Sequence, residues 1–281
     1  MKRDSLKKLG ALALAGCMLY LPAQAAQADL ERVRSLGVLK VAVYKNFAPF
    51  SQKEGERDTG IDVDLAQAIA DKLGLKLSLL PFDAGENLND DLRNMVWRGH
   101  YLGYGPADVL LHVPVDKRLM AENKRVEIFA PYYQEKVRLV YDARKVPNYA
   151  SIDSLVGKKI GVEKISIAGM VMLGEQNGKF RDGVKIYTTA VEALEQLKAG
   201  EIDAVVANKS EIEFVLKDDP NFRQAEATFE RLPRQGWVVG MAVKKENLNL
   251  ARAVQEATNE LAASGELAKI FLKYGVQPVK P

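Results

Sequence analysis

Short apolar runs alternate along the chain with stretches of 10 to 15 residues in which apolar positions recur every three or four residues. That rhythm predicts strands and helices in turn. Leu39 to Val43 reads as a first strand, and Gly60 to Gly74 as a helix with Val63, Ala66, Ile69, Ala70 and Leu73 on its buried side. Gly74 stands where a helix stop belongs. Lys76 to Pro81 and Ala107 to Val113 supply further strands, and Val137 to Tyr141 reads as a strand leaving the first sheet after Pro131-Tyr132-Tyr133.

The second half repeats the pattern with its own punctuation. Gly157 to Val162 is a strand, Ser166 an N-cap, Val184 to Tyr187 another strand, and Thr189 with Glu192 a capping box for a helix ending at Gly200. Ile202 to Ala207 predicts a buried strand that runs into Asn208 and a following helix. Trp237 to Val243 reads as a return strand, and Leu250 to Tyr274 as an amphipathic helical region interrupted at Ser264-Gly265. Strands and helices in this order predict α/β architecture with mostly parallel sheets.

Composition narrows the class. The 281 residues are 47% hydrophobic and 27% charged, which describes a globular chain of one or two lobes. The first 28 residues have a basic start, an apolar run from Leu9 to Pro22 and small residues ending at Ala25 or Ala28, the pattern of a secretory signal. Leu14-Ala15-Gly16-Cys17 also matches a bacterial lipobox, so free release and lipidation at Cys17 both remain open. Removing residues 1–28 takes away four basic residues and one acidic residue and leaves 36 of each sign. A neutral mature chain gives no reason to expect a nucleic acid or an anionic membrane as partner. Cys17 is the only cysteine, which excludes an intramolecular disulfide and thiolate metal sites. The expected location is the periplasm.

Several segments, in their order and spacing, resemble the family 3 bacterial solute-binding proteins, the periplasmic amino-acid receptors of ABC importers. They are Phe47-Ala48-Pro49-Phe50 before Gly60-Ile61-Asp62-Val63-Asp64-Leu65-Ala66, Phe129-Ala130-Pro131-Tyr132, Leu155 to Val162, Glu192-Ala193-Leu194 with Gly200 to Val206, and Ser264-Gly265-Glu266-Leu267. The resemblance implies a type II two-lobed periplasmic-binding-protein fold, each lobe a mostly parallel sheet flanked by helices, joined by two crossover strands. Lobe one would hold 29–138 and 238–281, and lobe two 139–237. It implies a monomer that holds a small molecule in the interlobe cleft and delivers it to an ABC permease.

The same resemblance places ligand contacts at Phe47, Phe50, Arg118, Tyr132, Ser166 and Asn208. A zwitterion in a dry cleft needs a partner for each charge, because an unpaired buried charge is costly. Arg118 falls where the family has its carboxylate-clamping arginine, with Val115 in place of an upstream threonine; Arg125 is the rival, and a solvent-facing role is open for both. Ile165-Ser166 replaces the family's glycine-hydroxyl pair and leaves only the hydroxyl. Asn208 stands where the ammonium-binding aspartate belongs, and an amide there favours a neutral or anionic ligand. Asn208 with Glu211 three residues on is equally a helix-capping pair.

Trp97 to Asp108 inserts an aromatic, glycine-rich loop that the family lacks. With His112-Val113-Pro114 and Pro131-Tyr132-Tyr133 it is similar to a branch associated with periplasmic quinoprotein, PQQ-dependent alcohol dehydrogenases. Trp97, Tyr101, Tyr104 and His112 are therefore candidates for a ligand or partner surface, or for core cover. No metal site, cofactor or catalytic group is expected. Asp62 with Asp64, and Asp90 with Asp91, read as first-turn and solvated surface charges. A dehydratase-like enzyme on the same fold is the remaining alternative.

Overall fold

The computed structural model describes residues 21–225, 229 and 236–281, with backbone only for 21–28. The apolar run before Pro22 and Cys17 thus lie, in all but their last residues, outside the described part. In chain order the elements are α1 (Leu21–Leu36), β1 (Val38–Tyr44), β2 (Gln52–Glu54), β3 (Arg57–Thr59), α2 (Ile61–Lys72), β4 (Lys76–Phe82) and α3 (Leu88–Leu92). A π-helical turn, Arg93–Trp97, leads to β5 (Val109–Pro114), α4 (Lys117–Glu122), β6 (Val126–Glu135) and β7 (Val137–Asp142). Then follow β8 (Ile160–Glu163), α5 (Ile167–Gly174), β9 (Val184–Tyr187), α6 (Ala190–Lys198), β10 (Ala204–Asn208), α7 (Lys209–Leu216), β11 (Phe222–Ala225), β12 (Trp237–Lys244), α8 (Leu248–Ala263) and α9 (Glu266–Lys273). The backbone of α1 continues through the expected cleavage positions Ala25 and Ala28.

Among the described residues the strands form two five-stranded sheets and the hairpin β2–β3. One sheet has the order β4-β1-β5-β12-β6, the other β11-β7-β10-β8-β9. β1 runs parallel to β4 and β5, and β10 parallel to β8, whereas β12 is antiparallel to both of its neighbours. The chain passes from one sheet to the other between Glu135 and Val137, and it returns into the first sheet at Trp237, which pairs with Glu135. Each sheet carries its own apolar clusters, one pair built around Leu39, Phe50 and Leu110, the other around Leu139, Ile160 and Leu194.

β6 has no clean period in the sequence because Pro131 interrupts it. It lies at the sheet edge, where a residue without an N–H removes no ladder bond. Its register against β12 shifts between Val239 and Met241, opposite Ala130 to Tyr132. Gly240 makes the shift feasible: a Cβ there would lie 2.5 Å from the Phe129 carbonyl oxygen. β8 begins at Ile160 instead of Gly157, since Gly157 has φ +74° and Lys158 N–H donates to Leu155 O in a turn.

Helix ends fix the segments that matter next. Gly60, at φ +134°, lets α2 start hard against the 47–51 turn, where a side chain would meet the Phe50 carbonyl at 2.2 Å. The N–H groups of Ile61 and Asp62 then donate to Pro49 O and Phe50 O. Helix donors that would otherwise be orphaned thus pin the aromatic turn to α2. Ser166 caps α5 and Thr189 caps α6, each accepting from the backbone N–H three residues on. The reciprocal bond of the α6 box comes from Thr188 N–H to Glu192, one residue earlier than a standard box.

Candidate functional site

Parallel strands end where the helices that follow them begin, and both β8 and β10 open at that edge onto a cavity of about 280 Å³ facing the other lobe. From the second lobe it is walled by Glu163 to Ala168 after β8, by Asn208 after β10 and by Glu211 in the first turn of α7. Phe47, after β1, and Trp237, at the start of β12, close it from the first lobe. The turn at Ile165 is held at φ +55°, with its side chain 99% exposed.

Three of the expected ligand residues meet here: Phe47, Ser166 and Asn208. The Ser166 hydroxyl is already committed, accepting from Gly169 N–H at 2.9 Å and donating to Glu163 O at 2.7 Å. Asn208 ends β10 and starts α7, and its backbone N–H donates to Glu211 Oε2 at 2.8 Å. The uncharged position 208 is thereby accompanied by a carboxylate one turn further on. Glu211 is 5% exposed. Burial, then the nearby Glu163 and, more weakly, Glu135, push its carboxyl well above the usual range, opposed by the Asn208 N–H. Burial also raises the Glu163 carboxyl, with Lys164 opposing.

Phe50 and Tyr132 are not in the cavity wall; both are buried behind it. They belong to a network under Phe47. The Tyr132 hydroxyl donates to Asp62 Oδ1 at 2.7 Å, and His112 Nδ1 lies 3.2 Å from Asp62 Oδ2. The His112 ring meets Phe50 at 4.2 Å and Phe47 at 4.6 Å between centroids, both edge-on. Burial, then Asp62, hold the Tyr132 phenol protonated well beyond its ordinary range. His112 is thus a support for the aromatic wall and not part of an exposed surface. Asp62 was expected on the surface and is 1% exposed, because α2 turns that position inward toward Tyr132 and His112. Asp91 departs in the same way: it accepts from Gly85 N–H at 2.7 Å and from the Tyr44 hydroxyl at 3.0 Å. A single sequence shows the carboxylates but not the donors that bring them inside.

The two arginine candidates lie away from the cavity. Asp116 caps α4 through Leu119 N–H, and the short helix sends Arg118 outward, 87% exposed and hydrogen-bonded to Glu122 at 2.8 Å. Arg125 stacks over the Trp97 ring at 4.6 Å. In the inserted loop, Trp97 and Tyr104 pack on the core of the first lobe, and Tyr104 stacks on His100 at 4.3 Å. Tyr101 and Leu102 stand exposed at 87% and 67%. Among the described residues no three His, Cys, Asp or Glu side chains form a metal-binding group, and no helix is long and apolar enough to cross a membrane.

The chain is similar to known proteins in sequence and fold. The family described as bacterial extracellular solute-binding proteins, family 3, matches residues 39–95. The L-cystine-binding protein TcyJ of Escherichia coli K12 is 26% identical over 255 residues, 87% of this chain and 85% of TcyJ. The amino acid ABC transporter substrate-binding protein AbpA from Streptococcus pneumoniae Canada MDR_19A, solved with L-arginine, is 28% identical at a TM-score of 0.60, covering 87% of this chain and 97% of that one. An ancestral cationic amino acid solute-binding protein, AncCDT-1, superposes with a TM-score of 0.69 at 20% identity over 88% of this chain and 99% of that chain, a likeness of fold alone. Residues 39–95 thus match the family 3 solute-binding model, and the whole chain is similar in sequence and fold to amino-acid-binding proteins.

Proposed function

We propose that this protein captures a small amino-acid-like solute between its lobes in the periplasm and presents it to an ABC permease. The observation that carries the reading is the cavity of about 280 Å³ walled by both lobes, with Phe47 and Trp237 on one side and Ser166, Asn208 and Glu211 on the other. Its size sits near the lower end of small-molecule clefts, roughly 300 to 1,000 Å³. Carboxylates and Lys164 in one wall suit a solute that bears charge. The relatives that bind cystine or arginine support an amino acid as the solute class. We assign 29–136 with 237–281 to one lobe and 137–236 to the other, moving the expected boundaries by one or two residues because β7 pairs in the second sheet and Trp237 in the first, and the protein acts as a monomer whose lobes close on the solute by hinge motion. The residues up to 28 act as the export signal, with Cys17 as the position to test for lipidation.

A thermal-shift screen of the purified protein against the common amino acids and small dicarboxylates tests the reading. A ligand at 100 times its Kd adds about 2.7 kcal/mol to stability, so at least one amino acid is expected to raise Tm by several degrees. No shift across the panel contradicts it.

A second reading rests on Tyr101 and Leu102, which the inserted loop holds out into solvent. That exposed pair suits docking to a periplasmic quinoprotein alcohol dehydrogenase. Co-purification with such an enzyme, lost when residues 99–105 are replaced by a short glycine-serine linker, is the outcome that would favour it.

A further inference from the structure

We infer that the C-terminal segment forms a clasp behind the hinge, in which Gln277 of the first lobe holds α7 of the second and restrains the lobes from closing fully. The clasp rests on the hinge motion proposed above and sets how far apart the lobes stand without a solute.

After α9 the chain turns at Gly275, with φ +75°, and runs back over the first lobe. Val276 is fully buried there, its N–H donating to Phe271 O at 3.1 Å. Val279 packs on the same core, and its carbonyl accepts from Gln134 N–H on β6 at 3.2 Å. Between these two anchors the tail reaches the other lobe: Gln277 N–H donates to Glu213 Oε2 at 3.0 Å. Glu213 is itself paired with Lys209 at 2.7 Å, both side chains being largely buried, and Lys209 Nζ lies 3.5 Å from Gln277 O. A backbone N–H on a carboxylate that is mostly out of water is a stronger bond than its exposed equivalent.

The position of the clasp gives it a direction. Glu211 lines the cavity, and Glu213 stands two residues further on, about 200° around an α-helix. The clasp therefore lies on the face of α7 turned away from the cavity. At the foot of α7 the crossover residue Lys136 accepts the Lys209 N–H at 2.9 Å, which places the pivot between the two faces. A rotation there that brings the β8 edge toward Phe47 and Trp237 carries the far face of α7 away from Gln277. Closure and clasp compete, so the free energy of the clasp opposes that of solute binding. Ile165 lines the cavity yet is 99% exposed, in keeping with lobes held short of full closure.

Spin labels at K117C and M170C, exposed positions that follow β5 in one lobe and β8 in the other, read the interlobe distance by double electron–electron resonance in a C17S chain without added solute. A chain ending at Val276 loses the Gln277 bond and keeps the Lys209–Glu213 pair. A chain ending at Pro278 keeps both and loses only the Val279 anchor, and E213A removes the acceptor should the first truncation fail to fold. The distance is expected to shorten in the chain ending at Val276 and in E213A, and to match the parent in the chain ending at Pro278. In calorimetry with L-arginine and L-cystine, whichever binds the parent is expected to bind those two clasp variants about fivefold or more tighter, the lower end of usual coupling. Unchanged or longer distances in both clasp variants, an equal shortening in the chain ending at Pro278, or affinities no tighter than the parent's overturn the clasp and leave solute capture standing. Shortened distances with no response to any amino acid in the thermal-shift panel uphold the clasp and remove the capture reading instead.

Discussion

Glu211 carries an electrostatic cost that its surroundings make measurable. Burial, Glu163 and Glu135 raise its carboxyl above the ordinary value in the ligand-free protein. Between the ordinary and the raised value, the folded chain holds a proton that the unfolded chain has released. Stability from this group is therefore fully present at acid pH and is lost as pH rises through that window. E211Q, which cannot titrate, is expected to raise Tm relative to the parent at pH 8, with the difference vanishing near pH 4. An unchanged or lower Tm of E211Q at pH 8 would show that Glu211 is compensated in the ligand-free state. Position 208 was legible as a departure from the family and as a helix start. The buried carboxylate at 211 was not, since Asn-x-x-Glu reads as a capping pair and only the folded β8 edge sets Glu163 beside it.

At the scale of elements, periodicity showed the strands that are well buried, such as β1 and β10, and the long helices α2 and α8. It failed where tertiary context overrides local pattern. β6 contains Pro131 and is stabilised as an edge strand by β12, while β2 and β3 are three-residue strands with too few positions to show a period. Caps were read well, because an N-cap is a local interaction: Ser166 and Thr189 both accept the expected backbone N–H. Ser166 was expected among the ligand contacts, but its hydroxyl is spent on holding the α5 start against Glu163. Ser166→Ala is expected to lower unfolding stability by about 1 kcal/mol in urea titration, the usual worth of such a cap. A loss well below that, combined with a large loss of ligand affinity, would mean that the hydroxyl serves the solute.

Across the whole molecule, the two sheets and their order follow from a chain that crosses between lobes at Lys136 and returns at Trp237. α7 is bound to both halves. Phe214 packs against the cores of each, and Glu213 takes Lys209 at 2.7 Å and the N–H of Gln277 at 3.0 Å, near the chain's end. Glu211 is therefore carried on an element that touches both lobes. The buried network of Asp62, His112 and Tyr132 stiffens the opposite wall under Phe47. None of its long-range pairings is visible along the sequence, where the three residues are separated by up to 70 positions.

Trp237 lines the cleft, whereas Trp97 is stacked with Arg125 outside it. In a Trp97→Phe background, fluorescence thus reports on the cleft alone. Titration with the amino acid that gives the largest thermal shift is expected to produce a saturable change in Trp237 emission, with the same Kd by fluorescence and by calorimetry and with the signal lost in Phe47→Ala. Calorimetric binding with silent Trp237 emission and undiminished affinity in Phe47→Ala would place the solute elsewhere and contradict capture between the lobes.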